Sequence, residues 1–196
     1  MPIDSKFILR QKFRDIRAQI PVLYRQEAAL HAAALFDTLP ALKHSLHIAC
    51  YLAFKDEFNS SPVIEAIWKA KKHCYLPVLT EDDGKSLYFV RYEYGDALRP
   101  NRYAILEPVN VSRVIAAEKL DMVVTPLLAF DRHGHRLGTG GGYYDRTFAF
   151  MHSTLEKKPS MIGLGYAAQE ASQLPDDPWD IKLNGVVTEK EIILMK

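Results

Sequence analysis

The chain has 196 residues, 48% of them hydrophobic and 25% charged, with a formal net charge of +1. A chain of this length buries roughly 70% of its unfolded surface and folds without disulfides, so residues 1–196 read as one domain. The balanced charge excludes a global field for nucleic acid, and no uncharged apolar run reaches the roughly 18 residues of a membrane span. Any anionic ligand must therefore be held by a local basic cluster. Cys50 and Cys74 lie in apolar runs and read as buried free thiols in a reducing compartment. Met1-Pro2-Ile3-Asp4-Ser5 lacks the basic start of a secretory leader. These features predict a cytoplasmic protein with no nucleic-acid or membrane partner, and the chain is read as a monomer.

Asp4 or Ser5 can cap a first helix running through Arg17, with Phe7, Ile8, Phe13 and Ile16 at roughly helical spacing. Residues 22–39, rich in Ala and Leu and closed by Pro40, predict a second helix. Residues 46–54 are mostly apolar and predict a buried strand, broken by Lys55-Asp56-Glu57-Phe58-Asn59. Ser61 as N-cap and Pro62 at the first helical position open a helix to about His73. Residues 74–79 predict a strand, Asp82-Asp83-Gly84 a turn and residues 87–92 a second strand. A short helix over 112–120, a strand over 122–125, a helix over 142–152 and strands over 161–166 and 185–188 complete the series. Helices alternating with apolar strands predict an α/β sheet with helices on both faces. In such sheets ligands sit at the carboxyl ends of the strands, where the 55–59 loop and the segment described next both fall.

Residues 129–146 read Ala-Phe-Asp-Arg-His-Gly-His-Arg-Leu-Gly-Thr-Gly-Gly-Gly-Tyr-Tyr-Asp-Arg. Glycines at 138, 140, 141 and 142 let backbone N–H groups approach an anion with no Cβ in the way. A helix from Tyr143 would add a positive N-terminus, which suits phosphate. Asp145 could hold magnesium against that phosphate. A P-loop needs Gly-Lys before Ser or Thr, and the third glycine of a dinucleotide fingerprint would fall on Tyr143. The loop is therefore a phosphate cradle of another type. His133 and His135 have no evident third and fourth ligand and read as a loop-exposed pair rather than a zinc site.

The run Ala-Phe-Asp-x-x-Gly-x-Arg-Leu-Gly-x-Gly-Gly-Gly-Tyr-Tyr-Asp-Arg closely resembles the signature of the 5-formyltetrahydrofolate cyclo-ligase family, also called methenyltetrahydrofolate synthetases. Lys6-x-x-x-Arg10, Asp56-Glu57, Ile162-Gly163-Leu164-Gly165-Tyr166 with Gln169, Leu174-Pro175, Asp180 and Val186-Val187-Thr188-Glu189 extend the resemblance from Lys6 to Glu189. The resemblance implies an ATP- and magnesium-dependent closure of 5-formyltetrahydrofolate to 5,10-methenyltetrahydrofolate, with ADP and phosphate released. It also implies a three-layer α/β fold similar to the sugar-phosphate isomerase and CoA-transferase group. Another phosphate-handling protein of that group, or a non-catalytic folate or nucleotide sensor, are the competing readings.

By resemblance, Lys6 and Arg10 contact ATP phosphates; from the residues alone they are also a solvated basic face at i and i+4. Arg14 and Arg17 read as surface residues. Arg136, Gly138, Gly140, Gly141, Gly142 and Tyr144 form the nucleotide cradle, and Arg136 and Tyr143 act at the reacting end. Tyr143 and Tyr144 also fit core packing. Leu52, Glu57, Thr139 and Tyr143 contact folate, Glu57 by offering its carboxylate to the amidine-like face of the pterin. A core leucine and a solvated acid are the plain alternatives for Leu52 and Glu57. Asp145 and Asp180 are the magnesium candidates, against a salt bridge to Arg146 for the first and a turn residue for the second. Thr139, Gly141, Trp179 and Asn184 depart from residues common in the family at those positions.

Overall fold

The computed structural model describes residues 5–80, 86–153 and 159–195. Asp4 and the Asp82-Asp83-Gly84 turn lie outside them. Helix α1 (Ser5–Ala18) buries Phe13 and packs Leu9 and Ile16 against Leu128, Leu137 and Leu174. Phe7 and Ile8 point away from that core and are exposed. Helix α2 (Val22–Asp37) buries Ala28, Ala29, Ala32, Ala33 and Phe36, and a short α3 (Pro40–Lys43) follows it. The small alanines let α2 lie close on α4 (Ser61–Lys69). In α4 the first helical residue is Ser61, whose N–H is accepted by Asn59 Oδ1 (3.1 Å), and Ser60 occupies the cap position.

The main sheet is mixed. Five parallel strands form its centre: β1 (His47–Ala49), β2 (His73–Leu79), β7 (Met122–Pro126), β10 (Ser160–Leu164) and β11 (Gly185–Val187). Antiparallel β3 (Leu87–Arg91) pairs with β2, β6 (Val114–Ile115) pairs antiparallel with β3 at the edge, and antiparallel β12 (Ile192–Leu194) pairs with β11. The order is β12-β11-β10-β7-β1-β2-β3-β6. Two hairpins stand apart from it: β4 (Leu98–Pro100) with β5 (Leu106–Pro108), and β8 (Ala129–Phe130) with β9 (Arg136–Leu137). Side chains of successive strand residues point to opposite faces. Ile48, Met122, Val124, Ile162, Leu164 and Val187 join α2 and α4 in one core. Ala49, Val123, Met161 and Val186 pack on the other face with Phe148, Ile181 and Leu183.

Three expectations are corrected. The strand over 46–54 ends at Ala49, apart from one further bond from Cys50 N to Tyr75 O (2.9 Å). Beyond it Tyr51 donates its hydroxyl to Phe58 O (2.9 Å) and Ser60 donates to Tyr51 O, folding residues 51–60 into a loop. The helix over 112–120 is instead edge strand β6 and a 3-10 turn, Ala117–Lys119, because Val114 and Ile115 pair with β3. The helix over 142–152 is α5 (Tyr143–Thr147) followed by a 3-10 turn, Ala149–His152. Cys50 and Cys74 are buried free thiols, and burial raises both pKa values. No described helix is long and apolar enough to cross a membrane.

Asp131 is fully buried between β8 and β9. Its Oδ1 accepts the N–H groups of His133 (2.9 Å) and His135 (3.0 Å), and Oδ2 accepts Leu174 N–H (2.9 Å) and meets His135 Nδ1 (2.8 Å). His133 is exposed, but His135 is held half-buried by this carboxylate, so the two are not a loop-exposed pair. Burial alone would raise the Asp131 pKa, but these donors outweigh it and hold it below the ordinary carboxylate range. The folded pKa lies below the unfolded one. The stabilisation is therefore full above the ordinary carboxylate range and is lost as pH falls through the lowered value. Asp131→Ala strands several buried donors and is expected to lower stability by about 3 kcal/mol. Urea midpoints at neutral pH measure this, and a loss below about 1 kcal/mol would contradict it.

Candidate functional site

One cleft of about 1340 Å³ opens at the carboxyl ends of β1, β2 and β7. Every residue that the resemblance assigns to ATP, folate or magnesium lines it: Lys6 and Arg10 from α1, Leu52 and Glu57 from the loop after β1, Arg136 to Asp145 from β9 to α5, and Asp180. Chain segments more than a hundred residues apart thus form one wall.

The glycine loop leaves β9 at Leu137 and is laced to α1. Arg10 Nε donates to Gly138 O (3.1 Å) and Arg14 Nη2 to Thr139 O (3.4 Å). At its far end Arg146 donates to Gly141 O. Gly142, at φ +66°, is the left-handed N-cap of α5, and Gly140 sits at φ +106°, a conformation that side chains avoid. Loop carbonyls thus take the arginines, while the N–H groups of Gly138 through Gly142 donate to no acceptor among the described residues. Unpaired backbone donors clustered at a cleft suit an anion. Helix α5 is only five residues long, so these amides and the cations beside them carry more of that preference than a helix dipole does.

The cations and carboxylates of the site are paired. Arg136 Nη2 donates to Asp145 Oδ1 (2.5 Å), and its guanidinium lies over the Tyr144 ring at 5.5 Å. An ion-pair partner of Asp145 among the described residues is thus Arg136. Asp145 Oδ1 also accepts Ile181 N–H (3.2 Å), which places Asp145 beside Asp180 in the chain fold. Lys6 Nζ reaches both Asp177 Oδ2 (2.6 Å) and Asp180 Oδ2 (2.7 Å), and Asp180 Oδ2 accepts Asp177 N–H (3.0 Å). Burial works against the Lys6 charge, but the two carboxylates outweigh it and raise its pKa. Asp145 and Asp180 offer hard oxygen donors of the kind magnesium takes, together with phosphate oxygens and water, rather than an all-protein cage. That fits the absence, among the described residues, of any cluster of three or more metal-binding side chains.

The acidic turn lines the same cleft, with Lys55 at φ +55°. Arg17 is buried, not a surface residue: Nε and Nη2 grip the two Asp56 oxygens at 2.9 and 3.0 Å. Burial would raise the Asp56 pKa, and Arg17 overrides it and lowers it. Glu57 accepts Phe54 N–H through Oε2 (3.0 Å). Its pKa is raised, chiefly by burial, with the Phe54 N–H and Arg17 opposing. A largely desolvated carboxylate in a cleft is suited to a ligand that brings its own N–H donors. Tyr144 is likewise desolvated, which raises its phenol pKa. Leu52 lines the cleft while also packing on the core.

Other cleft residues escaped the sequence reading. Asp177 is one; its neighbours Asp176 and Asp180 mark an acidic stretch, but nothing local shows which acid meets Lys6. The tip of the β4–β5 hairpin is another. Glu107 Oε1 accepts Leu79 N–H (3.0 Å) and Asn101 Nδ2 (2.7 Å), and Asn101 Oδ1 accepts the N–H groups of Tyr103 and Ile105. Tyr143 donates its hydroxyl to that of Tyr103 (3.2 Å) across the cleft mouth. Among the departures, Trp179 lines the cleft, whereas Asn184 accepts Met161 N–H (2.8 Å) and serves the sheet.

The family model for 5-formyltetrahydrofolate cyclo-ligases matches residues 2–189. The 5-formyltetrahydrofolate cyclo-ligase of Escherichia coli strain K12 is 36% identical over 186 residues, 94% of this chain and 98% of its own. That of Haemophilus influenzae is 35% identical over 176 residues, 89% of this chain and 92% of its own. The solved structure of Aquifex aeolicus 5,10-methenyltetrahydrofolate synthetase superposes with a TM-score of 0.81 at 29% identity, over 97% of this chain and 93% of that one. Matched along nearly its whole length, the chain belongs to the 5-formyltetrahydrofolate cyclo-ligase family and is a ligase.

Proposed function

We propose that this cleft closes 5-formyltetrahydrofolate to 5,10-methenyltetrahydrofolate while ATP is converted to ADP and phosphate. One observation carries the reading: the glycine loop, whose amides find no acceptor among the described residues, lines the same cleft as the desolvated Glu57. A phosphate and a pterin need those two chemistries in one place. The parallel strands with a core on each face also support the three-layer arrangement of the sugar-phosphate isomerase and CoA-transferase group. The buried thiols of Cys50 and Cys74 support a reducing, cytoplasmic setting.

A formyl amide is a poor electrophile with a poor leaving group. In the proposed route its oxygen attacks the γ-phosphorus, a C–O–P link forms and ADP leaves. N10 then adds to the iminium-like carbon. Loss of the N10 proton and of phosphate leaves the methenyl bridge. The protein's part is positioning and charge. Lys6, Arg10 and the amides of Gly138, Gly140, Gly141 and Gly142 hold phosphate oxygens. Arg136, backed by Tyr144, faces the transferring group, and Tyr143 lends its hydroxyl there. Glu57 accepts N–H bonds from the pterin, with Leu52 as an apolar wall and Thr139 at the loop edge. Asp145 and Asp180 would hold magnesium, which supplies charge neutralisation at the phosphoryl group.

Purified protein mixed with 5-formyltetrahydrofolate, ATP and magnesium is expected to develop the near-ultraviolet absorbance of the methenyl product. Omitting ATP or magnesium should abolish the rise, and Arg136→Ala should lower kcat/KM by at least about 100-fold. A correctly folded protein that gives no rise contradicts the reading. Glu57→Ala is expected to raise the KM for folate by about tenfold or more and that for ATP little. Because the ionised form accepts the pterin N–H groups, the wild-type folate KM should climb as pH falls through the raised Glu57 pKa. Glu57→Gln should flatten that climb. A larger effect on ATP would move Glu57 out of the folate pocket.

A further inference from the structure

The two groups of residues assigned to nucleotide and metal neutralise one another in the structure. Lys6 is bonded to Asp177 and Asp180, and Arg136 to Asp145. Four of the five side chains are shielded, 16% exposed for Lys6, 21% for Asp180, 5% for Arg136 and 24% for Asp145, while Asp177 is 39% exposed. Shielding matters, because removing one partner of a desolvated pair leaves the other charge uncompensated, which costs more than the pair itself contributes. A phosphate that takes Lys6 alone strands Asp177 and Asp180. A cation that takes Asp180 and Asp145 alone strands Arg136 and leaves Lys6 with Asp177 only. When both arrive, Lys6 and Arg136 face phosphate and Asp180 and Asp145 face the cation, and only Asp177, the most exposed of the set, is left to water.

We propose that these ion pairs are a counter-ion exchange that couples metal and nucleotide, so that the site admits the two together and resists either one singly. Asp177 is the positioning residue of this device: it shares Lys6 with Asp180 and competes with phosphate for the ammonium. The inference rests on the reading of Lys6 and Arg136 as phosphate ligands and of Asp145 and Asp180 as metal ligands. Its signature is one of opposite signs. Losing the cation should strengthen metal binding, although that cation belongs to the nucleotide site, and losing Asp177 should strengthen binding of metal-free nucleotide. A lysine with a purely structural role produces neither effect.

The experiment titrates Mn²⁺, standing in for magnesium, into the full-length protein without nucleotide, and reads free Mn²⁺ by electron paramagnetic resonance. Lys6→Met and the milder Lys6→Gln are each expected to bind Mn²⁺ about tenfold tighter than wild type, within the usual range of coupling between sites. In chelator, the β,γ-imido analogue of ATP should bind Asp177→Asn several-fold tighter than wild type. Unchanged or weaker Mn²⁺ binding by both folded Lys6 variants overturns the exchange, provided wild type still binds the analogue with Mn²⁺ present. If wild type binds the analogue neither with nor without Mn²⁺, the nucleotide reading of the cleft fails and this inference fails with it.

Discussion

The Asp131 carboxylate accepts N–H groups from two stretches of chain that meet only in the folded state. One is the turn at His133 and His135, and the other is Leu174. Beyond His135 the chain enters β9, presents Arg136 and runs into the glycine loop. Beyond Leu174 it reaches Asp177 and Asp180. Everything assigned to phosphate and metal apart from Lys6 and Arg10 therefore hangs from the two arms of one buried acid. A hydrophobic contact could join these arms but not fix their register. A carboxylate with directional acceptors does both, and its isolation from water makes each bond expensive to lose.

Helix α1 supplies the second constraint. Its apolar face rests on Leu128, Leu137 and Leu174, and its arginines spread from there. Arg17 grips Asp56 of the acidic turn and Arg10 grips Gly138 of the glycine loop, while Lys6 reaches Asp177 and Asp180. Spaced at four and seven residues, the three cations lie along one side of the helix and bind three separate parts of the cleft. The helix is a strut that carries charge as well as shape. This explains how a cleft built from distant segments keeps its donors and acceptors in register.

The glycine loop was legible in the sequence because glycines spaced among Arg136, Tyr143 and Asp145 serve few purposes other than close backbone approach to an anion. The acidic turn was legible by its place after an apolar strand. The rest depended on tertiary register. Nothing in the run from Arg10 to Arg17 marks which arginine is buried, since burial was decided by Asp56, far along the chain. The β4–β5 hairpin has no strand-like signal, because its short strands carry Pro100 and Pro108, which cannot donate to a ladder. Val114 and Ile115 were swallowed by the helical look of the following Ala116-Ala117-Glu118-Lys119, though pairing with β3 was available to them. The strand after His47 was overread because Cys50, Tyr51, Leu52 and Phe54 are apolar for another reason: they line the core or the cleft.

The central claim is that the backbone amides of the glycine loop receive phosphate oxygens. Amide-resolved NMR, titrating the β,γ-imido analogue of ATP with magnesium into the folded protein, tests it directly. The account predicts that the resonances of Gly138, Gly140, Gly141 and Gly142 shift most strongly, with those of Lys6 and Arg10 following as α1 exchanges partners. Saturable binding that leaves these glycine amides unmoved, with the shifts clustered elsewhere on the protein, would contradict it.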